Sequence, residues 1–516
     1  MLRNLWSARE RWLAILVAGF VAGCMVGPDY KRPEPLLPQT FKTPEPAQVR
    51  VDADADLNDW WKRFNDPKLD ELVERAQKGS ITLMQAGVNI AQYRSGYGIS
   101  YSQLFPSMDV GANYSYTLYN LAEVGAFTSN APFNQWGYGV RIASWEIDLF
   151  GKIHRGMEAA QARLQASVEG WRLAMVSLRA EVANAYLAIR TLQAQRDLAV
   201  RNVDLLQQVY DITKSKYRAQ TVSQIDVSEA GSRLATSKAM VPKLEASIKT
   251  QINGLSVLLG EAPGPLQDEL AASGPIPLIE GETAIGIPND LLRRRADVLQ
   301  AERMLIAANA EIGVAEAGYY PDLRVNGTFG IAATNFSGLG DINNQTFTVG
   351  PSLMWNFFNG GLVTSQVQMK QAIAIGLALQ WRQTLLNAAS EVQSAIDNYA
   401  GARLQVKAYT ETLSDTKSVY DLALSRFQAG TINMTQLLHL AQTVLDAENG
   451  YAQARGLASQ NLVGLYRSLG GGWESVDVPA AGGDAFEKDG PDMWKKQPKL
   501  PSENPEPQVT AAGTTG

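Results

Sequence analysis

Ser107-Met108-Asp109-Val110-Gly111-Ala112-Asn113-Tyr114-Ser115-Tyr116-Thr117-Leu118 alternates strictly between apolar and polar side chains. That is the period of a strand with two unlike faces. Three further stretches repeat the pattern. Trp136, Tyr138, Val140 and Ile142 alternate with Gly137, Gly139, Arg141 and Ala143. Leu323, Val325, Phe329 and Ile331 alternate with Arg324, Asn326, Thr328 and Gly330, and Phe347, Val349, Leu353 and Trp355 with Thr348, Gly350, Ser352 and Met354. The expected strands cover about 107–118, 136–147, 322–332 and 346–357, roughly the ten residues a tilted strand needs to cross a bilayer. Tyr and Trp gather near the strand ends, as in an interfacial belt.

The four strands are two copies of one pair. Trp145 is answered by Trp355, 210 positions on, and the same offset joins Glu181 to Glu391, Tyr210 to Tyr420 and Leu259-Gly260 to Leu469-Gly470. Before the strands the offset is 215, as Phe105-Pro106 against Tyr320-Pro321 shows. The five-residue difference is expected in hairpin loops near 119–135 and 332–346, because loops tolerate changes of length. From Lys152 to about Ser215 there is no proline, and Leu178, Val182, Ala185, Ile189, Leu192, Ala199, Val203, Leu206 and Tyr210 follow a 4-3 spacing broken only by Arg196. Ala388 to Tyr420 repeats it. Such a seam predicts long paired helices. The expected divisions are a signal peptide at 1–23, an extended N-terminal segment at 24–66, a first repeat at 67–260, a linker at 261–289, a second repeat at 290–473 and a Pro/Gly-rich disordered tail at 474–516.

Arg3, Arg9 and Arg11, the apolar run Trp12 to Phe20 and then Val21-Ala22-Gly23-Cys24 have the build of a secretory signal. Cys24 is the sole cysteine, which excludes a disulfide scaffold and a cysteine-based metal site. It resembles a lipobox cysteine, with Val21 in place of the usual Leu. By that resemblance it carries covalent lipid, and Met25 after it favours the outer membrane. The net charge of −6 becomes −8 once residues 1–23 and their three Arg and one Glu are removed, which argues against a nucleic-acid partner. Two histidines and one cysteine do not make a typical zinc site. No nucleophile–base spacing or phosphate loop stands out, so the reading is not an enzyme and needs no cofactor.

Four strands cannot close a barrel, and each unpaired backbone group facing lipid costs several kcal/mol. Two copies give eight strands with an interior filled by side chains. Three give twelve strands and an open bore. The expected fold is therefore a mixed α and β membrane protein: a homotrimeric 12-stranded β-barrel, four strands per chain, continued by a coiled-coil α-helical barrel in the periplasm.

The chain resembles the outer-membrane factor family of efflux channels, the TolC-like proteins, in their lipoprotein (NodT-type) branch. The residues that carry this are Cys24-x-Val26-Gly27-Pro28-Asp29-Tyr30, Trp60-Trp61, Trp145-Glu146-x-Asp148-Leu149-Phe150-Gly151-Lys152, Leu291-Leu292-Arg293-Arg294-Arg295-x-Asp297, Tyr320-Pro321, Arg426-Phe427-x-Ala429-Gly430 and Ser468-Leu469-Gly470-Gly471-Gly472-Trp473. Ala296 stands where the family usually has Pro. The resemblance implies a homotrimeric channel-tunnel in the outer membrane that docks onto a periplasmic adaptor (membrane fusion) protein and a proton-driven inner-membrane pump. It also implies a periplasmic gate just after each inter-helix turn. The matching positions are Asp226 and Glu229 in the first half, and Gln436 and His439 in the second, where relatives often carry an aspartate. Asp226 and Glu229 would form a selectivity ring, and His439 would make the tip respond to pH. Arg293, Arg294 and Arg295 read as a solvated helix start or an intersubunit salt bridge, and His154 as solvated. The competing reading is a non-conducting coiled-coil lipoprotein that spaces the two membranes, which would need no strands.

Overall fold

The computed structural model describes residues 25–33, 49–51, 57–119, 131–279, 283–285, 294–429 and 431–473. The signal segment, Cys24, most of the N-terminal linker, the first hairpin connection at 120–130 and the tail after Trp473 lie outside the described residues.

In chain order the elements are β1 (Val49–Val51), α1 (Pro67–Gly79), α2 (Ile81–Ser102), β2 (Ser107–Tyr119), β3 (Ala131–Ile147), α3 (Lys152–Arg218), α4 (Gln224–Leu259), α5 (Pro265–Glu269), β4 (Thr283–Ile285), α6 (Ala296–Glu316), β5 (Asp322–Ala333), β6 (Gln345–Met354), α7 (Leu362–Gln428) and α8 (Met434–Ser468). The duplication is visible element by element. Helices α3 and α7 each have 67 residues and start 210 positions apart, each after a left-handed glycine, Gly151 and Gly361. Each is a rod of about 100 Å. The N-terminal helical region is two helices, because Ser80 takes an extended conformation between α1 and α2.

One four-stranded antiparallel sheet runs in the order β2-β3-β5-β6, so β2 and β6 are its open edges. The short β1 and β4 pair in parallel elsewhere. The extra residues of the first half are not in its hairpin loop as expected. The connections 120–130 and 334–344 are equal in length, and the difference is taken up by strand: β2 pairs β3 from Ser107↔Ala143 to Tyr119↔Ala131, whereas β5 pairs β6 only from Asp322↔Met354 to Ile331↔Gln345. A bulge between Ile142 and Trp145 adds one residue to β3, and Ser144 within it has a positive φ of 33°.

The main core lies at mid-length of the long helices. Trp60, Trp61 and Phe64, Leu69 and Leu72 of α1, Trp171 to Ile189 of α3, Ile248 to Leu259 of α4, Val392 to Tyr399 of α7 and Leu462 to Leu469 of α8 form one buried cluster. Trp60 stacks on Tyr466 with ring centres 5.4 Å apart. Arg179 is buried here too, bonded to the carbonyl of Gly472 and 4.4 Å from the Trp61 ring. Desolvation lowers its pKa to about 10, so it remains charged at neutral pH.

Candidate functional site: the wall and its tip

Residues directly opposite in a sheet share a face. Met108, Ile142, Gly327 and Val349 therefore form one row across the four strands, and Val110, Val140, Phe329 and Phe347 the next. The opposite face carries Asp109, Arg141, Thr328 and Thr348. Asp109 and Arg141 pair at 3.4 Å, and Asn326 donates to Ser352 at 3.3 Å. The middle of the apolar face is bare among the described residues: Val110 is 83% and Phe347 72% exposed. A sheet with one bare apolar face and one wet face fits a position between lipid and water. Aromatic rings mark both ends of the band, with Tyr114, Trp136 and Phe336 in contact at one end and Phe150 stacked on Tyr320 at the other.

At the foot of the strands the polar face ends in a charged cluster. Glu146 accepts from Lys152 at 3.0 Å and from Arg324 at 3.5 Å, and Arg324 bonds Asp322 at 2.8 Å. The indole of Trp145 donates to the Leu104 carbonyl at 3.1 Å, and that of Trp355 to Tyr319 at 3.0 Å. The same bond holds the same helix-to-strand turn in each half, which is the physical reason these tryptophans recur at fixed offset.

A strap formed by Met25 to Pro33 crosses this junction. Val26 donates its amide to Phe150 at 3.1 Å. Arg155, 2% exposed, reaches the carbonyls of Val26 and Gly27 at 3.1 Å each and Asp29 at 2.8 Å. Tyr30 and Arg32 both bind Glu302 of α6, and burial pushes the Tyr30 phenol up from its usual range. A Cβ on Gly27 would sit 2.4 Å from the Gly313 Cα, and one on Gly151 2.3 Å from Met25. Two of the motif glycines are thus fixed by close approach of backbone.

The four residues expected at the gate lie at the starts of α4 and α8. Asp226 occupies the third position of α4 in a capping box: its carboxylate accepts from the Ser223 amide at 2.8 Å and hydroxyl at 2.7 Å, while the Ser223 hydroxyl accepts from the Asp226 amide at 3.3 Å. These bonds hold its pKa below the ordinary carboxylate value. Glu229 pairs with Arg233 at 2.7 Å. In the second half Asn433 caps α8 by accepting from the Gln436 amide at 2.8 Å, and His439 is exposed. Leu206 and Val209 of α3, Leu234 of α4 and Leu438 of α8 pack together behind the turns, so the two hairpin tips lie side by side. Lys216 sits 4.9 Å from the Phe427 ring across them.

Two sequence readings are corrected. Arg295 is neither solvated nor reserved for a neighbour: it is buried within the chain, bonded to Asp297, Glu391 and the Ser468 carbonyl at 2.7 Å each. His154 is not merely solvated, since its Nδ1 and its amide both meet the buried Asp148 carboxylate, at 2.6 and 2.8 Å. The Glu146–Arg324 cluster carried no expected role. Its signal was the charge on the polar side of each strand end. Among the described residues no group of His, Cys, Asp and Glu is placed to hold a metal ion.

The family model described as outer membrane efflux protein matches residues 72–261 and again 287–471, one match in each half. The chain belongs to the outer membrane efflux protein family. It is the outer-membrane channel component of an efflux system of a Gram-negative bacterium. It is similar to the pyoverdine export outer membrane protein OpmQ of Pseudomonas aeruginosa, 28% identical over 83% of this chain and 90% of the relative. Nodulation protein T of Rhizobium leguminosarum bv. trifolii is 25% identical over 88% of this chain and 96% of that protein. Among solved structures, the outer-membrane channel OprN superposes with a TM-score of 0.79 at 30% identity, covering 87% of this chain and all of OprN. The family's members are transport channels rather than enzymes.

Proposed function

We propose that three copies close a 12-stranded barrel whose apolar rows face lipid, whose polar rows line a bore, and whose helices extend that bore into the periplasm. The observation that carries this is a four-stranded sheet with two open edges and one bare apolar face. Only pairing of β6 with β2 of another copy satisfies the edge groups in lipid. The tunnel conducts solutes passively and receives them from a periplasmic adaptor and an energised inner-membrane pump.

The strap supports lipidation of Cys24. Met25 is packed against Gly151 at the foot of the strands, and one residue spans about 3.8 Å. An acyl group borne one residue before Met25 would be within reach of the apolar band. At the other end, three copies each of Asp226, Glu229, Gln436 and His439 ring the axis and set passage through the tip. Native mass measurement of the purified full-length protein gives three chains, and planar bilayers containing it conduct ions. A one-chain particle, or a three-chain particle without conductance, overturns the reading.

A further inference from the structure

The internal duplication specifies how neighbouring copies meet. In the chain, repeat one joins repeat two through β3 against β5 and α3 against α6. In a closed ring, repeat two must join repeat one of the next copy through the equivalent elements, β6 against β2 and α7 against α2. This rests on the three-copy reading above and goes further, to the residue register.

The mapping follows from three observed registers. Trp145 corresponds to Trp355, and Ser107↔Ala143 corresponds to Asp322↔Met354. Ala143 thus maps to Met354 while Trp145 maps to Trp355, which leaves the bulged Ser144 without a counterpart in β6. Transferring the β3–β5 pairs above the bulge turns Arg141↔Thr328 into Ser352 opposite Asn113, and Tyr138↔Ile331 into Val349 opposite Tyr116. Transferring the pairs below it turns Trp145↔Val325 into Trp355 opposite Val110, and Ile147↔Leu323 into Phe357 opposite Met108. The two transfers meet in one unbroken register. We infer that β6 of one copy pairs with β2 of the next with Ser352 directly opposite Asn113, extending β6 through Phe357.

Three features of the lone chain agree. Every transferred pair sets apolar against apolar or polar against polar. A one-residue slip would mix the faces along the whole strand. Phe357 and Val110, 82% and 83% exposed in the single chain, each gain an apolar neighbour in the same row, Met108 and Trp355. In the helices, the Arg163–Glu311 salt bridge between α3 and α6 maps to Ile373 against Gly96 of the neighbouring copy. Ile373 is exposed, and a Cβ on Gly96 would meet nothing within 4 Å in its own chain. A side chain at one and an open site at the other replace the ion pair.

Cysteine pairs in the full-length protein in its membrane test this, since Cys24 is the only natural cysteine. Ser352→Cys is combined in turn with Gly111→Cys, Asn113→Cys or Ser115→Cys, all on the polar face. A disulfide needs Cα atoms within about 7 Å, which directly opposite residues meet and a two-residue shift does not. Oxidation should link the Ser352/Asn113 pair into two- and three-chain species at least about five-fold more than either shifted pair. Ile373→Cys with Gly96→Cys should link likewise, and with Ser100→Cys, one turn away, should not. If a shifted pair links best, or no pair links in a particle of three chains by native mass, the register is wrong while the three-copy reading stands. A one-chain particle overturns both.

Discussion

Replacing Arg155 with Met should free the N-terminal strap while leaving the helices in place. The guanidinium is buried and makes three bonds to the strap: two to the carbonyls of Val26 and Gly27 and one to Asp29. The Asp29 side chain is 83% exposed, so its ion pair contributes little. The two carbonyl bonds carry a charged donor and are worth about 1.5 kcal/mol each at the low end of their range. Their loss removes about 3 kcal/mol from strap docking, about a 100-fold change in the docking equilibrium. Met fills much of the vacated volume, so the packing of α3 on α6 should change little. Hydrogen exchange reports this directly, because the Val26 amide is protected by its bond to Phe150. Its protection should fall by about 100-fold while amides in the middle of α3 keep theirs. Protection of Val26 within three-fold of the parent protein would refute the claim that Arg155 holds the strap.

Tyr186→Phe deletes a hydroxyl that donates to Asp66 at 2.6 Å and accepts from Arg190 at 3.0 Å within the main core. It should cost about 1–2 kcal/mol, read as a lower midpoint in thermal unfolding. Trp145→Phe and Trp355→Phe each remove one indole bond to a turn carbonyl. Each should cost about 1 kcal/mol, and the two should match within a few tenths if the halves are mechanically equivalent. At the tip, the depressed pKa of Asp226 means that its cap is fully formed above the ordinary carboxylate value and is lost only as pH falls through the lower folded value. Asp226→Ala should therefore change single-channel conductance without altering its dependence on pH between 5 and 8. His439→Asp, which puts a carboxylate at an exposed position one turn past the Gln436 cap bond, should also change single-channel conductance. Conductance unchanged in both variants would end the gating role.

The sheet could be read from sequence because one apolar and one polar face impose a period of two on every strand. The helices could be read because α3 and α7 pack along a seam. What could not be read is instructive. Residues 355–357 continue the alternation yet lie beyond the end of β6. Their equivalents in β3, Trp145 to Ile147, are held in strand by β5, a partner that the second half lacks within one chain. The Arg295 environment escaped because its acceptors Glu391 and Ser468 are distant in sequence. For the same reason the strap motif gave no hint that Asp29 and Tyr30 serve Arg155 and Glu302. At the tip, turn and helix starts were legible, but the capping use of Asp226 depended on Ser223 geometry.

That cap is unequal between the halves. In the first turn, side chains at Ser223 and Asp226 each return a bond to the other's backbone. In the second, Asn433 reaches Gln436, and the described bonds include none in return. A helix end held from one direction frays more readily than one latched from both. In the proposed ring of three copies, firm and loose ends would alternate, six in all. Breathing of the tip would begin at the three α8 starts, so the first aperture would be three-lobed rather than round.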